Sequence, residues 1–253
     1  NAANTQHLPV YKEFLYDRLQ RKGFDAQDVH RLAARDRHVF AALMLAHGHG
    51  DGLITGATRK SAHVLERMNY VFDADAEHGA VGVTALLHKG RIVLIGDTLV
   101  QEWPDEEDLA TIAERSADVA RHLGLEPRVA FVSFSTFGYP VSERATKMLL
   151  APKVLDRRGV SFEYEGEMTV DVALNAQAQK AYPFSRLTGP ANILVVPARH
   201  SASISTKLMQ EMAGATVIGP ILAGVDKSIQ ICSSVSTAND ILNMAILAAC
   251  KVG

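Results

Sequence analysis

Two hydrophobic periods alternate along this chain. Over residues 8–22, Tyr11, Leu15, Tyr16 and Leu19 share one helical stripe, and Val29, Leu32, Ala33, Phe40, Leu43 and Met44 do the same in a helix predicted over 28–47 that stops near Gly48. The same spacing predicts helices over 60–71, 104–123, 142–156, 169–180, 201–213 and 237–250. Between them lie short apolar runs bounded by turn residues, the signature of buried strands, at 51–56, 79–87, 91–97, 128–134, 160–164, 191–196 and 216–222. Lys89-Gly90 joins two of these as a hairpin or as adjacent strands. Pro104-Asp105-Glu106-Glu107 is the sharpest helix start, because proline suits a first turn and carboxylates suit the positive end of the helix dipole. Residues 183–190 and 224–236 read as loops.

Strands alternating with helices of this length predict an α/β fold with mostly parallel sheet covered on both faces. Ligands in such folds bind beyond the strand ends, which places candidate loops near 55, 97, 134, 165, 197 and 222. A boundary near 100–104 fits the end of one strand and the start of the strongly capped helix. The chain starts at Asn1 without a methionine, so it reads as a fragment or one domain of a longer polypeptide.

Charge narrows the ligand classes. A formal net charge of -2 gives no long-range field toward nucleic acid or an anionic membrane, so an anionic ligand needs a local patch or helix N-termini. Two cysteines cannot form a disulfide framework, which makes a reducing, cytoplasmic setting the default. No run approaches the roughly 18 apolar residues of a membrane span, and the N-terminus lacks signal-peptide order.

Two hydroxyl-rich segments are candidate anion pockets. Ser133, Ser135 and Thr136 follow a strand and precede a helix; a capping turn at Ser142 and Glu143 is the plainer alternative. Ser201, Ser203 and Lys207 open another helix, where an ordinary capped start with a solvated lysine is equally compatible. Glu165, Glu167 and Asp171 gather near a strand end as acid–base candidates or as a solvated loop. His7, His47, His49 and His200 show no metal-ligand spacing, so no metal site is expected. Gly48–Gly52 fits neither a dinucleotide nor a P-loop fingerprint, and no Gly-x-Ser-x-Gly elbow occurs.

Several short segments, in order along the chain, resemble phosphate acetyltransferases: Asp51-Gly52-Leu53-Ile54-Thr55-Gly56, Pro127–Ala130 with Ser133–Thr136, Gly166-Glu167-Met168 with Asp171–Leu174, Gly189–Leu194 and Gly219-Pro220-Ile221-Leu222. The details look closer to the phosphate acetyltransferase-like C-terminal domain of the large bacterial NADP-dependent malic enzymes, in Asn4-Thr5 with His7, in 16–23 and in 201–207. The resemblance implies two three-layer α/β/α lobes with mostly parallel sheets and a ligand cleft between them. One lobe would comprise 1–100 with 218–253, its N-terminal part absent from this chain, and the other 101–217.

The resemblance also implies lost chemistry. Active family members hold acetyl phosphate with arginines, whose planar fork serine cannot replace. Ser234 stands at one such arginine position and Glu66 at another, and Ile231 matches an acidic residue, whereas Ser233 and Asp240 match catalytic residues that remain as vestiges. The resemblance therefore implies a non-catalytic regulatory domain binding acetyl-CoA or CoA as effector. Ser133, Ser135, Thr136, Asn192, Ser201, Ser203, Lys207, Gly219, Pro220, Ile221 and Ser233 are its expected ligand contacts. The implied full-length protein decarboxylates malate to pyruvate using NADP and Mg or Mn, with the malic-enzyme domain in cis, a homodimer through this domain and a larger homo-oligomer. Two other classes stand beside it: an active phosphate acetyltransferase recruiting Arg67, Arg199 or Lys207, and a purely structural oligomerisation module.

Overall fold

The computed structural model describes residues 5–72, 79–140 and 142–250, with the side chains of Glu143 and Arg144 outside that description. Asn4 and 251–253, which carry part of the resemblance and of the expected first lobe, also lie outside it, as does the dipole role of Glu143. The chain forms two compact units, Asn1–Glu77 with Val225–Lys251, and His78–Gly224.

The first unit is mainly helical. Helices α1 (Leu8–Leu19), α2 (Ala26–Arg35), α3 (Arg37–Ala46), α4 (Ser61–Met68) and α10 (Ala238–Ala249) accompany a two-stranded parallel sheet of β1 (Leu53–Gly56) and β8 (Ile229–Cys232). Tyr11, Leu15, Leu19, Val29, Ala33, Val39, Leu43 and Val64 are buried, as the helical stripes require. The helix predicted over 28–47 is broken at Asp36. Its backbone is extended there, and its carboxylate accepts the His38 and Val39 N–H groups to start α3. A side chain that competes this well for N–H groups ends one helix and begins the next.

Strand β8 falls inside the predicted loop 224–236. It is four residues long and pairs Thr55 with Ile231 and Gly56 with Cys232. Gly56 has φ +102, and a Cβ there would stand 2.1 Å from the Cys232 carbonyl oxygen, so only glycine lets these two strands approach.

The second unit carries a six-stranded sheet in the order β5-β4-β6-β3-β2-β7. The strands are β2 (Val81–His88), β3 (Arg91–Gly96), β4 (Arg128–Val132), β5 (Glu163–Met168), β6 (Ile193–Val195) and β7 (Thr216–Ala223). Pairings β4–β5, β4–β6 and β3–β6 are parallel, while β2 runs antiparallel to both β3 and β7. Residues 81–96, expected with 1–100 in the first lobe, therefore belong to this sheet: the hairpin is stitched to β6 on one side and β7 on the other.

Around the sheet lie α5 (Glu106–His122), α6 (Glu143–Arg158), α7 (Val170–Leu174), α8 (Ala176–Gln179) and α9 (Arg199–Ala213). Asp105 caps α5 in a reciprocal box with Asp108. The helix predicted over 169–180 is two short ones, because Asn175 is extended and caps the second through the Gln177 N–H. One packed cluster joins Ile95, Ala130, Val132, Met168, Leu194, Val196 and Ala202, so the ends of β4, β5 and β6 and the start of α9 share a core. Among the described residues no helix is long and apolar enough to cross a membrane.

Replacing Gly56 by alanine should destabilise the chain by at least about 2 kcal/mol, since it adds a strained φ to a clash with backbone that cannot rotate away. Urea unfolding followed by circular dichroism measures this; a change within about 0.5 kcal/mol, typical of a neutral surface site, would contradict it.

Candidate functional site

Beyond the ends of β4 and β6 the second unit carries a half-open cavity of about 440 Å³. Val132, Ser133 and Phe134 line one side, Val170 contributes from α7, and Pro197, Ala198, Ser201 and Ser205 line the α9 side. The strand ends deliver these residues together because β4 and β6 are parallel neighbours, with Phe131 opposite Val195.

The turn after β4 is organised by Glu167. This side chain is 0% exposed, and its Oε1 accepts the Ser135 hydroxyl at 2.8 Å and the Gly138 N–H at 2.9 Å. Its backbone carbonyl accepts the Phe137 N–H at 2.8 Å, and the Thr136 N–H goes to the Tyr139 carbonyl. The N–H groups of 136–138 are thus taken by Tyr139 and by Glu167 of β5. Thr136 Oγ1 accepts the Thr169 N–H, leaving Ser133, with Oγ 3.4 Å from Ser135 Oγ, as the hydroxyl that faces the cavity.

On the opposite wall, Ala198 precedes α9 and offers no side-chain cap, so the N–H groups of the first turn have no such partner. Ser201 and Ser205, one helical turn apart, face the cavity there, while Lys207 is exposed and is not among its lining residues. Arg199 is engaged, donating to the Leu99 carbonyl at 3.2 Å and standing 3.6 Å from Glu102. Trp103 lies against His200 with ring centres 5.5 Å apart.

Other expected contacts fall elsewhere. Asn192 sits at the start of β6, away from the strand end that meets the cavity, and its carboxamide joins the Arg128 N–H to the Glu126 carbonyl. Ile221 is fully buried in β7 opposite Val83, and a Cβ on Gly219 would stand 2.9 Å from the Val83 carbonyl oxygen. Gly219, Pro220 and Ile221 therefore build the sheet. Of the three carboxylates, only Glu167 serves the turn. Glu165 accepts from the Arg186 backbone and guanidinium, and Asp171 is exposed. A further carboxylate, Asp97, is buried after β3 and accepts the Gly82, Leu99, Val100 and Gln101 N–H groups, while burial pushes its carboxyl up.

In the first unit, Ile231 is fully buried, and Ser234 is exposed beyond the end of β8. Ser233 Oγ accepts the Val235 N–H, and Asp240 forms a capping box with Thr237 at the start of α10. Glu66 accepts the Tyr70 hydroxyl. Its neighbour Arg67 is held 3.1 Å from Asp36 and 3.6 Å from Glu66. His38 carries no motif that marks it in the sequence. It is buried against the Thr55 hydroxyl at 2.6 Å, and burial holds its imidazole below the usual range. Among the described residues no group of three or more His, Cys, Asp or Glu could hold a metal ion.

The signature of the Phosphate acetyl/butaryl transferase family matches residues 1–249. The NADP-dependent malic enzyme of Rhizobium meliloti is 50% identical over all of this chain, which corresponds to 33% of that protein. The phosphate acetyltransferase of Bacillus subtilis is 29% identical over 92% of this chain and 72% of its own length. A solved phosphotransacetylase from Streptococcus pyogenes superposes with a TM-score of 0.89 at 25% identity, covering 100% of this chain and 77% of that one. The chain thus spans about a third of the malic enzyme it matches.

The loop expected over 183–190 is pinned to β5 through an aromatic–ionic network with its own pH signature. Tyr164 donates to Asp156 at 2.6 Å, and the Arg186 guanidinium stacks over the Tyr164 ring at 4.5 Å while pairing with Asp156 at 2.7 Å. Burial and the Asp156 carboxylate push the Tyr164 phenol up to about 12. A raised phenol pKa stabilises the fold fully below the unfolded value of about 10, and that stability is lost as pH rises through about 12. Ultraviolet titration of Tyr164→Phe should lack the phase near pH 12, and Asp156→Asn should move that phase downward. Persistence of the phase in both variants would contradict this assignment.

Proposed function

The chain belongs to the Phosphate acetyl/butaryl transferase family, and we propose that it binds acetyl-CoA as a regulatory domain without making acetyl phosphate. One observation carries the loss of turnover: Arg67, the guanidinium nearest the replaced position Glu66, is held between Asp36 and Glu66. With Ser234 at the other arginine position, neither replaced position itself supplies the planar cation that would hold a phosphoryl dianion and its developing charge. Loss of one such electrostatic clamp commonly costs about 10²–10³-fold in rate.

The cavity supports binding. Its α9 wall offers helix N-terminal N–H groups and two serine hydroxyls, donors suited to a phosphate oxygen, and its other walls are apolar apart from Ser133. Extensive identity to a malic enzyme supports placing this domain beside a malate-oxidising part in the same polypeptide. NADP and Mg or Mn would serve that part, which would convert malate to pyruvate. Acetyl-CoA would then bias its activity by binding two states unequally, with a coupling of about 1–3 kcal/mol. The exposed stripe Ile204, Leu208 and Met212 on α9 supports self-association through this domain, first as a dimer.

Phosphate acetyl transfer is the second reading, and the family match and the solved phosphotransacetylase favour it more directly than they favour regulation. The residues of this particular chain weigh the other way. Calorimetric titration with acetyl-CoA should give saturable binding, and an acetyl-phosphate assay on the same sample should give no turnover. Turnover would establish the transferase instead, and absence of binding would leave a structural module.

Ser201→Asp should keep the fold, because a carboxylate near a helix start favours the dipole. It should weaken acetyl-CoA binding by about tenfold through repulsion of the phosphates. Unchanged affinity would remove the α9 wall from the site.

A further inference from the structure

We propose that Trp103 and His200 form a stacking shelf for an adenine base, placed so that the phosphates of the same ligand fall at the α9 wall of the cavity. This deepens the acyl-CoA reading and rests on it for the cavity, whereas the shelf stands on its own two rings.

The shelf and the cavity share one end of the sheet. Strands β3 and β6 are parallel neighbours with Gly96 opposite Val195, so the segment after β3 and the start of α9 leave that end side by side. Trp103 comes from the first and His200 from the second. Their ring centres are 5.5 Å apart, with the planes 32° from parallel. His200 lies in the first turn of α9, next in the chain to Ser201, which lines the cavity. A ligand that reaches Ser201 therefore has the imidazole as its neighbour along the helix.

An indole left in water forgoes one of the largest apolar areas a side chain can bury. Trp103 is 55% exposed even with His200 beside it. Its rim is charged: Glu102 and Asp105 are exposed close by in the chain, and the Arg199 guanidinium stands 3.6 Å from Glu102. A purine suits both features, with flat faces for the rings and polar edges for the rim. The exposed stripe on α9 begins at Ile204, one turn beyond His200, so a self-association surface reaching back over Trp103 is the competing use of the rings. The charged rim favours the base.

The segment that carries Trp103 is pinned on both sides. The buried Asp97 carboxylate accepts the Leu99, Val100 and Gln101 N–H groups, and Asp105 closes the capping box that starts α5. Arg199 donates to the Leu99 carbonyl at 3.2 Å, which ties the segment to the first turn of α9 and holds the two rings to their spacing. The backbone under the indole is thus fixed before a ligand arrives, and the ordering cost of binding falls accordingly.

Trp103 is the only tryptophan among the 253 residues, so tryptophan fluorescence of the full chain reports this shelf alone. Three probes separate the parts of the ligand: ADP has base and phosphate, pyrophosphate has phosphate without base, and pantetheine has neither. ADP should quench the emission saturably, and the other two should leave it unchanged. By calorimetry, Trp103→Ala should weaken ADP by about tenfold, the effect of losing one base–aromatic stack, and leave pyrophosphate as it was. Trp103→Phe should restore most of that loss. The exposed position lets both variants fold, which circular dichroism checks.

Absence of quenching by ADP, equal quenching by pyrophosphate, or equal ADP affinity in wild type and Trp103→Ala would overturn the proposal. Loss of self-association in Trp103→Ala, read by sedimentation with ADP affinity unchanged, would give the rings to a second copy of the chain instead. Acetyl-CoA bound in calorimetry without quenching would sink the shelf and leave the regulatory reading standing. ADP stacked on Trp103 in a chain that ignores acetyl-CoA would keep the shelf, as a site for a free adenine nucleotide, and remove the acyl-CoA reading.

Discussion

A carboxylate buried at the end of β5 determines how the turn after β4 is built. Glu167 accepts from Ser135, Phe137 and Gly138, so three donors of one short turn converge on one residue of the neighbouring strand. Buried charge demands such partners, and their convergence gives the turn a single conformation. Asp97 does similar work after β3, gathering N–H groups from Gly82 and from 99–101. The turns after β3 and β4 are thus held by buried carboxylates rather than by water.

On the proposed regulatory reading, ligand holding and bond making separate in this chain. The cavity in the second unit has its hydroxyls and its uncapped helix, while the end of β8 in the first unit presents Ile231 and Ser234. On that reading, Ile231 and Ser234 at one strand end take away an electrostatic clamp while the strand stays folded. A fold can therefore outlast its chemistry, since burial of Ile231 stabilises the sheet whatever its neighbours in the chain do.

Much of the architecture is legible in the sequence because long periodic runs dominate it: α5 with its capped start, the hairpin of β2 and β3, and the α/β alternation. The break at Asp36 is not, because both halves of 28–47 keep one apolar stripe and only the local capping bond splits them. Strand β8 is hidden by its length. The segment Gly166-Glu167-Met168 reads as lying after the strand that contains it, because alternate glutamates obscure its apolar content. At the site, Ser133 and Ser201 are visible as hydroxyls after a strand and at a helix start. Ser205 could be found from its four-residue spacing to Ser201. Glu167 stands out as a carboxylate, but its role depends on which strand lies beside it, and β4–β5 pairing is non-local information. Asn192 and Ile221 mislead for the matching reason, since both serve the sheet through partners far along the chain.

The pairing of β1 with β8 has a consequence for how the polypeptide is made. Leu53 leaves the ribosome long before Ile229, its partner, and the whole of the second unit is synthesised in between. Residues 78–224 of the second unit are continuous in sequence, so its sheet can close during synthesis, whereas the first must wait with β1 unpaired. An early strand with an open edge is a template for wrong partners until its own arrives. The shortness of β1, and the glycine at its end that tolerates only a close-fitting neighbour, limit that exposure while the remainder of the chain emerges.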